Sequence, residues 1–252
     1  MQLLEMTSPQ VARSSRDMPV VIPIAALEQH GPYMPVFTDS LLLGEVVRRI
    51  SEPLQQRVLF APLFWLGNSH HHLDFPGTVS ASPRVYLDVL IDLAESFLAH
   101  GFRRIVLLNG HGGNIVPAQQ ALYELRQRYR SRSDLLLLST TYWTAGGNPN
   151  AADSSLRQTQ MGHACEWETS MMLRIQPHLV GDYSSAVDVE WGRAFAPANR
   201  AWVTPDRSAL GHIGYPRIAS ADKGETLFRV FADGVVALLE RAIAWDGKEW
   251  DG

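Results

Sequence analysis

The strongest constraint in this 252-residue chain is an alternation. Apolar runs at residues 19–26, 57–66, 104–108 and 135–140 are each followed by a polar loop and then by a segment of helical period. A near-continuous apolar run suits a strand covered on both faces, and strands that alternate with helices build a parallel sheet between helical layers. The expected fold is therefore α/β, a three-layer helix-sheet-helix with a mostly parallel central sheet, in one domain spanning 1–252. Pro23 interrupts the first run and argues for an edge or irregular strand there. Helices are expected from Asp39 or Ser40 to Ile50, from Pro83 up to Gly101, and over residues 115–129, 162–175 and 221–245. Residues 3–16 read as a short helix or arm. Residues 142–160 read as a long loop, and residues 183–215 show no period.

A net charge of -4 leaves no basic patch, which argues against a nucleic-acid partner. The single Cys165 cannot form an internal disulfide and fits a reducing compartment. The first fifteen residues lack a basic region followed by an apolar core, and no apolar run approaches the roughly 20 residues that span a bilayer. The expectation is a cytoplasmic protein without a membrane partner.

Three polar clusters lie just beyond expected strand ends: Glu28/His30/Asp39, Ser69–His72 and Asn109–Asn114. In open parallel sheets ligands bind beyond the carboxyl ends of the strands, so separate strands would deliver these groups to one rim. Glu28 and His30, two apart in extended backbone, project to one side. Asp39 is either the third member of a metal loop or a helix cap. His111, flanked by three glycines, is either a ligand or incidental to a strand-to-helix turn; a phosphate-binding turn lacks the lysine and spacing it needs. Among the three consecutive histidines, at most two could face one site in extended backbone. Glu166 and Glu168 are about 200° apart on a helix, and Glu168 shares a stripe with Met171, Met172 and Ile175. A carboxylate on an apolar face is costly unless paired or metal-bound, which selects Glu168 for the site. Trp143 and Trp202 are the better tryptophan candidates for substrate contact, and Cys165 reads as small and buried. Two imidazoles and three carboxylates (Glu28, His30, Asp39, His111 and Glu168) suit zinc first, with manganese or iron as alternatives, rather than calcium. Five ligands exceed one catalytic ion and would fill a dinuclear site with one bridging carboxylate.

The motifs EQHGP…TD at 28–39, SxxHxxFPGT at 69–78, NGHGGN at 109–114 and HAxExETS at 163–170, in that order, resemble the creatininase family of metal-dependent amidohydrolases. The resemblance implies a creatininase-like fold and two divalent ions. Glu28, Asp39 and His111 would hold one ion, and His30 and Asp39 the other, with Asp39 bridging. Creatinine-cleaving members carry a Tyr-Glu pair after the motif histidine, where this chain has Gly112 and Gly113. That puts creatinine as substrate in question and leaves a ligand position for Glu168. The resemblance also implies substrate contacts from Ser69 and His163, and a homo-oligomer, commonly a hexamer. His72 and Trp143 complete the expected substrate set.

The expected reaction is hydrolysis of a C–N bond, other than an ordinary peptide bond, in a small cyclic or linear amide by a metal-bound hydroxide. His163 would transfer a proton or stabilise the tetrahedral intermediate, and Glu166 would orient it or share that catalytic role. Two rivals are a dinuclear phosphoesterase, disfavoured because no Arg or Lys lies beside the motifs, and a non-catalytic metal-stabilised scaffold.

Overall fold

The structure is a computed structural model describing residues 1–192 and 194–248. Strands β1 (Val20–Ile24), β2 (Leu59–Phe60), β3 (Arg104–Asn109) and β4 (Leu136–Thr141) form a parallel sheet in the order β2-β1-β3-β4. The helices are α1 (Ser8–Ala12), α2 (Thr38–Ser51), α3 (Pro83–Ala99), α4 (Ile115–Arg128), α5 (Tyr142–Gly146), α6 (Glu166–Ile175) and α7 (Ala221–Ala244). None is long and apolar enough to cross a membrane.

The strands divide their side chains by parity. Val21, Phe60, Val106 and Leu108 pack with α2, α5, α6 and α7, whereas Val20, Ile22, Ile24, Leu59, Ile105 and Leu107 pack with α3 and α4. Two cores, one on each sheet face, are the expected three-layer arrangement. The chain leaves β1 towards β2 on one side and returns across it to β3 on the other. The loops after β1 and β3 therefore diverge, and this is where such sheets open a ligand crevice.

Several expectations need correction. β1 is an interior strand despite Pro23. Its odd-numbered residues bond towards β2, where Ala61 N–H donates to Val21 O and Ala25 N–H donates to Phe64 O. The N–H that Pro23 lacks would fall on that side, beyond the paired residues of β2, so the β1–β3 ladder is intact. The run at 57–66 yields only a two-residue strand, because Pro62 cannot donate and the chain touches β1 again only through Phe64. The helix expected from residue 162 starts at Glu166, and the stretch read as a loop after residue 142 begins with α5.

Candidate metal centre

Each loop beyond a strand end is locked before it presents a side chain. Asn109 holds the backbone of His111 from both sides, accepting its N–H at 2.9 Å and donating to its carbonyl at 2.8 Å. Asn114 donates to Ala25 O at the end of β1 and accepts from Asn68 N–H. Ser40 donates to Ala26 O and so fixes the start of α2 against the same strand. Asp39 lies in the first turn of α2 rather than at its cap.

These locks bring Glu28, His30, Asp39, His111 and Glu168 together, all buried. Asp39 Oδ1 lies 3.1 Å from His30 Nε2, and its Oδ2 lies 3.0 Å from His111 Nδ1. Glu28 Oε1 is 3.2 Å from His111 Nδ1, and Glu168 Oε1 is 3.8 Å from His30 Nε2. Within each of several three-residue sets drawn from this cluster and from His71, His72 and His163, the candidate ligand atoms lie within 4.8 Å of one another.

The residues fit divalent cations on three counts. Among the described residues, the three carboxylates have no Lys or Arg ion-pair partner, only histidines. Both Glu28 oxygens and Asp39 Oδ2 are buried without a hydrogen-bond donor. Finally, His30 Nδ1 lies 3.0 Å from Glu28 O and His111 Nε2 lies 3.1 Å from Asn68 O. A carbonyl can only accept, so each ring donates there and turns its other nitrogen to the carboxylates, the arrangement that orients metal-ligating histidines. With protons as the only cations present, burial would depress both imidazoles, but the facing carboxylates outweigh it. They raise His30 well above its ordinary value and His111 to about 10. Burial opposes ionisation of Asp39, yet His30 and His111 hold its carboxyl below the usual carboxylate range.

His163 does not sit on a helix. Gly162–Ala164 runs beside Ile213, and His163 N–H donates to Ile213 O at 2.9 Å. A Cβ at Gly162 would lie 2.2 Å from that carbonyl. The ring donates from Nε2 to Gln29 O at 2.7 Å and places Nδ1 3.5 Å from Glu28 Oε1. It packs between His30 and His72, at centroid distances of 4.4 and 4.2 Å. Burial and the neighbouring His30 charge push its pKa down to about 3, so the ring is neutral.

Gln29 was not anticipated, although it sits inside the first motif. Gly31 N–H donates to its Oε1 and its Nε2 donates to Gly211 O, both at 2.9 Å, and these backbone groups fix the amide's orientation. The Gln29 amide therefore presents only an N–H to His72 Nδ1, 2.8 Å away, and the Thr204 hydroxyl, which can donate either there or to His71 O, lies 2.7 Å from the same nitrogen. His72 Nδ1 accepts, so its proton sits on Nε2, 3.4 Å from Glu28 Oε1.

A cavity of about 790 Å³ opens onto the cluster, lined by Glu28, Asp39, His111, Glu168, His163 and His72 and walled by aromatic residues including Trp143 and Trp202. His70–His72 form a 3-10 turn rather than a strand, so His71 and His72 both face the cavity and His70 turns to Ser80. Ser69 is not brought to the cavity; its hydroxyl lies behind His111, 3.3 Å from Nε2. Glu166 is not brought there either. It points to the far side of α6, where Lys223 Nζ donates to it at 2.7 Å and the Arg157 and Gln158 N–H groups donate as well. Cys165 is buried, and burial with Glu168 nearby lifts its thiol to about 12, which keeps it protonated.

The creatininase family model, described as creatinine amidohydrolase, matches residues 4–239. Mycofactocin precursor peptide peptidase of Mycolicibacterium smegmatis is 30% identical over 231 residues, covering 90% of this chain and 85% of its own. Creatinine amidohydrolase of Pseudomonas putida is 30% identical over 234 residues, covering 87% of each. Solved creatininase structures, a mutant in a Zn-Zn form and a Mn form, each match with a TM-score of 0.78 at 28% identity, over 95% of this chain and 97% of theirs. With a family match over nearly its whole length and a cluster of buried candidate metal ligands, the chain belongs to the creatininase family of metal-dependent amidohydrolases.

Proposed function

We propose that the chain hydrolyses the C–N bond of a small cyclic or linear amide at a two-metal centre. The observation that carries this reading is the divided Asp39 carboxylate, one oxygen facing His30 and the other His111. Glu28, Asp39 and His111 would hold one ion and His30, Asp39 and Glu168 the other, and the ions when bound would polarise the amide carbonyl and make water nucleophilic at neutral pH. Zinc is the first expectation and manganese or iron the alternatives; creatininase itself has Zn-Zn and Mn forms.

The chain's own residues take the remaining roles. His163 Nδ1 carries a free lone pair towards Glu28, so it accepts a proton from the attacking water and returns it to the leaving nitrogen. His72 holds its proton on Nε2 at the same carboxylate and so supplies the hydrogen-bond donor for the developing oxyanion. Trp143 and Trp202 shape the apolar part of the substrate pocket. Glu166 anchors the loop at residues 157–158 to α7 instead of partnering His163. The glycines at 112 and 113 and the size of the cavity favour an amide other than creatinine, among them the peptide bonds implied by the mycofactocin-precursor relatives. A homo-oligomer belongs to the same reading, and light scattering tests it.

Metal analysis followed by a panel of lactams, formamides and small peptides, with a nitrophenyl phosphate as control, tests the proposal. Two ions per chain and amide turnover are expected. Glu168→Gln lowers both metal content and rate; full two-metal occupancy with unchanged turnover would sink the ligand assignment. Turnover of the phosphate ester alone would favour the phosphoesterase, and a loaded protein inert to every compound would favour the scaffold.

A further inference from the structure

Trp191, Arg200 and Trp202 line the catalytic cavity and also an adjoining one of about 460 Å³ that Arg207 enters. The Arg207 guanidinium lies 4.3 Å from the ring centre of Trp191 and 4.7 Å from that of Trp202. With indoles against it, the guanidinium keeps its N–H donors in its plane, at the edge, and among the described residues none has an acceptor. Arg200 has only Asp206, at 3.6 Å, and that carboxylate also accepts Val203 N–H. Glu190, on the second cavity, is engaged by the Tyr215 hydroxyl and Arg157. Trp191 Nε1 is buried and likewise lacks an acceptor. Burial and the like charge of Arg200 lower Arg207 below the ordinary guanidinium value. Two guanidiniums and an indole N–H without matching acceptors are a donor set that an oxyanion satisfies.

This donor set connects directly to the ligand cluster. Trp202 meets His71 edge-on at 5.1 Å, and His71 stacks on His111 at 5.8 Å. We propose that Arg200, Arg207 and Trp191 bind a carboxylate borne by the substrate at the end remote from its scissile amide, so that acylated amino acids or short peptides are taken in preference to uncharged amides. The two guanidiniums opposed by Asp206 leave one net positive charge, which matches a carboxylate better than a phosphate dianion. The proposal rests on the amide-hydrolysis reading.

The test is calorimetric binding of N-acetylglycylglycine, its C-terminal amide and N-acetylphosphoethanolamine to the metal-loaded protein, with hydrolysis of the same compounds followed separately. The free carboxylate is expected to bind about tenfold tighter than its amide. Arg200→Gln and Arg207→Gln abolish that preference, whereas Arg207→Lys, which keeps a charge between the indoles, retains part of it; circular dichroism confirms that each variant folds. A preference that survives both glutamine variants places the carboxylate on the metals and overturns the proposal. So does its absence from the unmodified protein, or tighter binding of the phosphate. Carboxylate preference without amide turnover removes the hydrolase reading and leaves the anion site; turnover without preference does the reverse.

Discussion

Gly113 shows how one missing methyl group shapes the centre. A Cβ there would lie 2.1 Å from Asn68 O and 2.5 Å from His111 Nε2, so a side chain would part the hydrogen bond that aims Nδ1 at Asp39. At Gly112 nothing stands within 4 Å. Gly113→Ala is therefore expected to weaken metal binding roughly 10–100-fold, the usual cost of losing a partner that orients a ligand. Gly112→Ala should change stability by less than about 0.5 kcal/mol. Metal titration against a chelator and thermal melts separate the two. Gln29 gives a second prediction at this scale. Gln29→Glu replaces its N–H with a carboxylate oxygen that favours a proton on His72 Nδ1, removing the proton from Nε2. The expected outcome is a kcat roughly 10–100-fold lower with metal content unchanged, read by steady-state kinetics and metal analysis. The candidate ligands could be named from sequence because Glu28, His30, Asp39 and His111 follow strand ends and Glu168 interrupts an apolar helix stripe. Gln29 could not, because its role depends on a carbonyl 182 positions away.

Helix α5 was missed because five residues are too few to display a period. Its place is set by close approach to α7: a Cβ on Gly234 would lie 2.3 Å from Ala145 O, and one on Gly146 would lie 2.5 Å from the Phe231 ring. That contact carries Trp143 to the cavity. Gly234→Ala should cost roughly 1–3 kcal/mol through overpacking, seen as a lower melting temperature. Because Trp143 would move with α5, KM should rise more than kcat falls. An unchanged KM in a destabilised variant would separate α5 from substrate binding. The longer elements were legible: α3, α4 and α7 lie within a residue or two of their expected bounds, since their apolar stripes face a single core. The strand at 57–66 and the helix start at 162 failed where Pro62 and the Gly162–Ile213 contact override local pattern. Trp191, Trp202 and Arg207 left no periodic signal, because they meet through indole–guanidinium packing rather than along one element.

At the scale of the molecule, the fold concentrates Glu28, Asp39 and Glu168 at the open end of one sheet and, among the described residues, supplies only histidines to offset them. The consequence is a link between metal, pH and global stability. In the metal-free protein His111 is raised from its ordinary value of 6.5 to about 10. A group whose folded pKa is raised stabilises the fold fully below its unfolded pKa, and that contribution is lost as pH climbs through the folded value. Asp39 is depressed and acts in the opposite sense: its contribution is present above the ordinary carboxylate pKa and disappears as pH falls. The chelated protein should therefore melt at its highest temperature near pH 6 and lose stability steadily from about pH 6.5 towards 10. Divalent ions displace those protons and supply the positive charge themselves, so the loaded protein should melt higher and keep its melting temperature across the same interval. Parallel melts of chelated and metal-loaded protein at pH 6, 8 and 10 measure this directly. Parallel pH curves would mean that the His111 proton and the ion do not compete for one place, and the assignment of Glu28, Asp39 and His111 to a single cation would fall with them.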